Sequence, residues 1–152
     1  MAEVLFYHLQ RQNLETVLPG LLEKTLARGW SAVVQAGSAE SVAALDAQLW
    51  TYADESFLPH TAEGDGLGQP IYLTDKAENP NRAQVRFFVD GAAVSDPVGY
   101  ERAVIIFDGN DPAAVEAARS AWRLVEGAGH NATYWQQSDN GRWEKRVGRQ
   151  NG

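Results

Sequence analysis

The chain has no cysteine among its 152 residues, and that absence excludes disulfide frameworks, thiolate metal sites and cysteine nucleophiles together. No apolar run approaches the ~18 residues that a membrane-spanning helix needs. The amino-terminal stretch "MAEVLFYHLQRQN" has no basic segment before its short apolar run, so no secretory leader is expected and a cytoplasmic location is. Cations are also scarce. The 13 Lys and Arg against 20 Asp and Glu leave a formal charge of −7, which argues against broad binding to nucleic acid, because phosphate contacts need a dense basic surface. Internal repeats and low-complexity linkers are absent. What remains is a chain with 44% hydrophobic residues, long enough for one domain with a real core and short for two.

The few cations are unevenly placed. Residues 1–112 hold 7 Lys and Arg against 16 Asp and Glu, a balance of −9, whereas residues 113–152 hold 6 against 4, a balance of +2. A distinct cationic end sits on an acidic protein.

Hydrophobic period gives alternating strands and helices. "EVLFYHL" (3–9) reads as a strand, and "NLETVLPGLLEKTLARG" as a helix with Gly29 at its C-terminal cap. Pro19 and Gly20 place the regular part of that helix after them. "WSAVVQAG" (30–37) is a second buried strand, followed by the helix "AESVAALDAQLW" with Ser38 or Ser41 as its N-cap. An irregular segment (51–69) leads to the strands "PIYLT" (70–74) and "VRFFVDG" (85–91). "AVIIFDG" (103–109) is the most apolar strand, and the clearest helix follows, opened by Asp111 and Pro112 and closed by Gly127 or Gly129. "NATYWQQ" (131–137) is a last strand, so the domain is expected to span 1–137, with 138–152 a polar, basic, partly disordered tail. This order implies a three-layer α/β/α single domain with a mainly parallel sheet covered on both faces.

The segment "LWTYADESFLPHTAEGDGLGQPIYL" (49–73) concentrates groups that resemble catalytic chemistry. Asp54, Ser56 and His60 could be drawn as a triad, but triad members converge from separate elements and no strand-to-helix nucleophile elbow is present. Gly64, Gly66 and Gly68 alternate rather than forming G-x-G-x-x-G, follow no strand, and stand beside Glu63 and Asp65, which would repel a phosphate. His8, His60 and His130 are isolated from ligand-like neighbours, so neither metal nor cofactor is expected. Trp50, Tyr52, Phe57, Leu58 and Pro59 either pack down as a lid or stand out as anchors for a partner.

On the last helix, Arg119, Trp122, Arg123 and Glu126 fall at i, i+3, i+4 and i+7 and share one face. Two guanidiniums beside an indole make either an ordinary cationic edge or a pocket for an acidic peptide, with carboxylates on the arginines and an apolar side chain on the ring.

The order of Trp50, "ESFLPH" (55–60) and "EGDGLGQP" (63–70) resembles the signature of the chi subunit family of bacterial DNA polymerase III holoenzyme. The likeness extends to "VLFYHL", "RAVIIFDG" and "AARSAWRLVEGAGHNATYW". It implies a Rossmann-like fold without nucleotide binding and a noncatalytic role. Chi proteins link the clamp-loader complex to single-stranded-DNA-binding protein by holding its acidic C-terminal tail, which ends in phenylalanine. Arg119, Trp122 and Arg123 match the tail-binding positions, with Trp122 where tyrosine is common and Glu126 where a basic residue can stand. Arg142, Lys145 and Arg146 are expected to extend the basic face.

The resemblance also implies that Trp50, Phe57, Leu58, Pro59 and His60 dock a partner subunit. That partner is psi, another clamp-loader element or a helicase. Contact with nucleic acid is indirect, and no membrane is involved. Two competing readings stay open: a small α/β enzyme with His60 as general base and Asp54 as its orienter, and a direct single-strand binder using aromatics and the basic residues from 119 to 149.

Overall fold

Burial alternates along the first strand because successive side chains point to opposite faces of the sheet. β1 (Glu3–Leu9) sends Val4 and Phe6 to one side and Tyr7 and Leu9 to the other. The computed structural model describes residues 2–10, 13–52, 60–61, 70–79, 81–137 and 142–147, with the backbone alone at 50–52, 60, 61, 146 and 147. After β1 come α1 (Leu14–Ala27), β2 (Ala32–Gln35), α2 (Ala39–Tyr52), β3 (His60–Thr61), β4 (Ile71–Thr74) and β5 (Val85–Phe88). β6 (Arg102–Asp108), α3 (Pro112–Gly127), β7 (Asn131–Gln137) and β8 (Trp143–Val147) complete the order.

The strands form one sheet in the order β3-β4-β2-β5-β6-β1-β7-β8. Every pairing is parallel except β7 with β8. Helices α1 and α2 cover one face, where Leu18, Leu22, Leu45 and Leu49 meet Val34, Leu73, Phe87 and Val104. α3 covers the other, with Ala118, Ala121 and Val125 against Phe6, Ala103, Ile105 and Ala132. The expected three-layer α/β/α architecture with a mainly parallel sheet is therefore present.

Three local expectations change. α1 begins at Leu14, where the side chain of Asn13 accepts from the Thr16 N–H at 3.0 Å, and it runs through Pro19. Proline has no N–H to offer the carbonyl four residues back. That carbonyl, of Glu15, accepts instead from Gln48 Nε2 on α2 at 3.2 Å, so a side chain replaces the missing helical bond. α2 is capped by Ser38, whose Oγ accepts from the Ser41 N–H at 3.1 Å. It continues to Tyr52, and β3 then pairs with β4 inside a stretch expected to be irregular.

At the far end, β8 takes residues 143–147 of the expected tail into the sheet, with Trp143 edge-on to Tyr7 at 4.9 Å between ring centroids. Gly129, not Gly127, closes α3. Its φ of 86° is in the left-handed region, and its N–H bonds Glu126 O while that of His130 bonds Val125 O.

Among the described residues, no helix covers the α3-side surface of β2, β4 and β5 as α3 covers β1 and β6. A buried cation fills part of that position. Arg86 is 2% exposed, and all five of its N–H donors point at neutral oxygens. Nε and Nη2 share Gln35 Oε1, Nη2 also reaches Lys76 O at 2.8 Å, and Nη1 reaches Glu78 O at 2.7 Å and Tyr100 Oη at 3.1 Å. The guanidinium thereby clamps the β4–β5 connection onto the sheet.

Replacing it by Arg86→Met should lower the unfolding free energy by about 3 kcal/mol or more, because buried carbonyls lose charged donors. Arg86→Lys, with a single point of donation, should recover only a fraction. Urea denaturation checks this, and a loss below ~1 kcal/mol for Arg86→Met would show that the clamp contributes little.

Candidate functional site

α3 starts with Asp111 as N-cap, its carboxylate accepting from the Ala113 N–H at 3.0 Å, and Pro112 in the first turn. Small residues at 118 and 121 let the helix lie close to the sheet, so its larger side chains project along its flanks. On the flank over β1 and β7, Trp122 packs against Phe6 with ring centroids 5.2 Å apart and 54° between planes. Tyr134 stands edge-on to the indole at 6.3 Å.

Together these residues shape a cleft of about 350 Å³ lined by His8, Val115, Ala118, Arg119, Trp122, Arg123 and Tyr134. All three positions expected to hold an acidic tail thus line one cavity. The guanidiniums are loosely held. Arg119 meets Glu116 at 3.6 Å with both side chains 67% exposed, and Arg123 reaches Ser120 Oγ at 3.4 Å. Exposed pairs of this kind are worth little in water, so both cations can turn to an incoming anion. Glu126 is exposed and does not line the cleft.

The floor holds two residues that sequence reasoning left aside. His8 Nδ1 is hydrogen-bonded to Tyr134 Oη, 126 positions away. His8 Nε2 is buried without a hydrogen-bond partner. Burial pushes the His8 pKa below its ordinary value, against the pull of Asp108, and pushes that of Tyr134 up, with Arg119 opposing. The only sequence signal was their place on apolar strands; the parallel register of β1 with β7 brings them together.

A second cleft, of about 610 Å³, opens on the other flank of α3, lined by Phe88, Val94, Ile105, Phe107, Ala117 and Leu124 with Asp90, Asp108 and Asp111. It borders the point where β1 feeds α1 on one face and β6 feeds α3 on the other, which is where open α/β sheets bind dinucleotides. Here that crevice is closed. A Cβ on Gly109 would sit 1.9 Å from His8 Nε2 and 2.8 Å from Leu9 O, so glycine serves the close approach of β6 to β1 rather than a phosphate. The carboxylates of Asp108 and Asp111 would repel one.

His130 acquires partners through the fold. His130 Nδ1 accepts from the Ala2 N–H at 2.9 Å, which leaves Nε2–H to donate to Asp96 at 2.7 Å. That bond holds the Asp96 carboxyl below its usual range. Among the described residues no group of three or more His, Asp or Glu is arranged to hold a metal ion. Likewise, no helix there is long and apolar enough to cross a membrane. Lys145 is in register with Trp135, whose neighbour across β1 is Tyr7. Lys145 therefore stands on the α1 side of the sheet and does not extend the basic flank of α3. Arg142 is exposed just before β8.

Of the expected partner-docking residues, Trp50 lies on α2 and His60 on β3, both placed by backbone alone. Phe57, Leu58 and Pro59 lie outside the described residues, as do Asp54, Ser56 and the glycines at 64, 66 and 68.

Comparison with known proteins agrees with the sequence resemblance. The family model described as "DNA polymerase III chi subunit, HolC" matches residues 1–133. The chain is also similar to the probable DNA polymerase III subunit chi of Rickettsia prowazekii (strain Madrid E), at 26% identity over 109 residues, 70% of this chain and 66% of that protein. The match thus spans just under two thirds of the relative's length. With the family model covering residues 1–133, up to the first residues of β7, the chain belongs to the DNA polymerase III chi subunit family.

Proposed function

We propose that the protein is a noncatalytic accessory subunit of the replicative polymerase holoenzyme, which links the clamp-loader complex to single-stranded-DNA-binding protein by holding that protein's acidic C-terminal tail. The observation that carries the reading is the convergence of Arg119, Trp122 and Arg123 on one cleft. An acidic peptide ending in phenylalanine has carboxylates for the two guanidiniums and a ring for the indole. Family membership supports the same role. The excess of carboxylates on residues 1–112 would repel an acidic tail elsewhere, which favours the α3 flank as its landing site.

Docking to the clamp loader is assigned to Trp50, Phe57, Leu58, Pro59 and His60, on the strength of the family signature in that segment. Its occupant is a psi-like subunit, another clamp-loader element or a helicase.

Titration with an acidic peptide ending Asp-Ile-Pro-Phe, followed by calorimetry in moderate salt, should give a dissociation constant on the order of micromolar, about 8 kcal/mol. Arg123→Ala, or removal of the terminal phenylalanine, should weaken binding by at least about tenfold, or ~1.4 kcal/mol. No binding at high micromolar peptide would remove the tail from this site. For the second surface, Phe57→Ala should reduce retention of the clamp-loader complex while leaving peptide affinity unchanged. Parallel loss of both would mean that the substitution damages the fold.

A further inference from the structure

Tyr134 stands in the wall of the α3 cleft with its hydroxyl bonded to His8 Nδ1, beside Arg119 and Arg123. A phenol has one proton, and the direction of that bond decides what the hydroxyl offers to a ligand. When Nδ1 is a bare lone pair, Tyr134 O–H donates to it and the cleft meets only oxygen lone pairs, which repel a carboxylate. When Nδ1 carries a proton, His8 donates to Tyr134 Oη, and the tyrosine proton is released to point into the cleft. The same two residues thus present either an acceptor or a donor.

We propose that the Tyr134 hydroxyl is a third carboxylate-binding donor of the α3 cleft, and that His8 is the positioning residue that turns its proton outward. This rests on the tail-binding reading and names the group that recognises a carboxylate of the acidic peptide, beside the arginines. Among the described residues, nothing else around His8 fixes the direction. Its Nε2 is buried without a partner and packed over Gly109, so neither neutral tautomer is rewarded at that end. The charged and titratable groups around the ring are Asp108 from β6, Arg119 and Arg123 from α3, and Tyr134 from β7. The empty site holds the imidazole neutral: burial disfavours its charged form, and Asp108 only partly offsets this. An incoming carboxylate adds negative charge above the tyrosine and selects the imidazolium, which both carries a proton on Nδ1 and offsets the ligand's charge, over the neutral form protonated there.

The sign follows from linkage. The ligand raises the His8 pKa, so binding takes up a proton, and affinity rises as pH falls through the range between the free and bound values. Peptide carboxylates do not confuse this, since their ordinary pKa values lie near ~4. The experiment is calorimetric titration of the full chain with the acidic peptide ending Asp-Ile-Pro-Phe, from pH 8 down to 5.5, in buffers of differing ionisation enthalpy. The expected result is binding tighter by roughly fivefold to tenfold at the acid end, equivalent to a His8 shift of up to about one pH unit, with net proton uptake.

His8→Gln, whose amide does not titrate in this range, and Tyr134→Phe, which lacks the hydroxyl, should each bind with a flat profile and no proton uptake. Circular dichroism confirms that both variants fold, and either one alone suffices for the test. Wild-type binding with no pH dependence overturns the proposal and leaves the tail-binding reading standing. A pH dependence that persists in a folded variant also overturns it. Absence of binding at every pH overturns both together.

Discussion

The parallel pairing of β1 with β6 on one side and β7 on the other is the constraint on which both the core and the cleft depend. In that register Phe6 lies beside Ile105 and Tyr134, and His8 beside Phe107 and Gln136. Because side chains alternate, a slip of one residue would turn Phe6 and His8 toward α1 and expose Trp122 to an empty floor. Gly109 helps to prevent the slip: its N–H bonds Leu9 O at 2.8 Å, at a distance no larger residue could keep. The bond between His130 and the Ala2 N–H pins the start of β1 against the start of β7.

Electrostatics on α3 depend on what the helix leaves unsatisfied. A helix this close to the sheet needs small residues underneath, and these supply no counter-charge to Arg119 and Arg123. Their neighbours Glu116 and Ser120 are on the same exposed surface and hold them weakly. Arg86 shows the opposite solution, a cation removed from water and saturated by neutral oxygens. One arginine is committed to structure, while two stay exposed and weakly held.

The sequence showed the local part of this structure and missed the part that depends on pairing. The strands at 3–9, 103–109 and 131–137 and the helix after Asp111 were readable from their short apolar or aromatic runs and, for the helix, from its cap and spacing. Arg119, Trp122 and Arg123 were readable as a set because helical spacing alone places them on one flank. Pro19 misled, since its missing bond is replaced from α2, a neighbour 29 positions away that no local rule contains. β3 is two residues long and β8 is polar, and both are strands because an existing edge accepts them. Nothing local marked Arg86 as a clamp or His8 and Tyr134 as a pair, because their partners come from other segments.

The same sheet order bears on how one small domain could hold two partners. α2 ends at Tyr52 and the chain re-enters as β3 at His60, so the segment assigned to clamp-loader docking leaves and returns at one edge of the sheet. The α3 cleft lies over β1 and β7 near the opposite edge. Between β3 and β7 stand β4, β2, β5, β6 and β1, which at ~4.8 Å per strand spacing separates the two by about 29 Å. A peptide held in the cleft would therefore lie six strand spacings from the strand at which that segment ends, which leaves room for two partners at once. The tether role proposed above requires that independence, and the spacing follows from a sheet whose first strand lies inside it, with later strands added toward both edges.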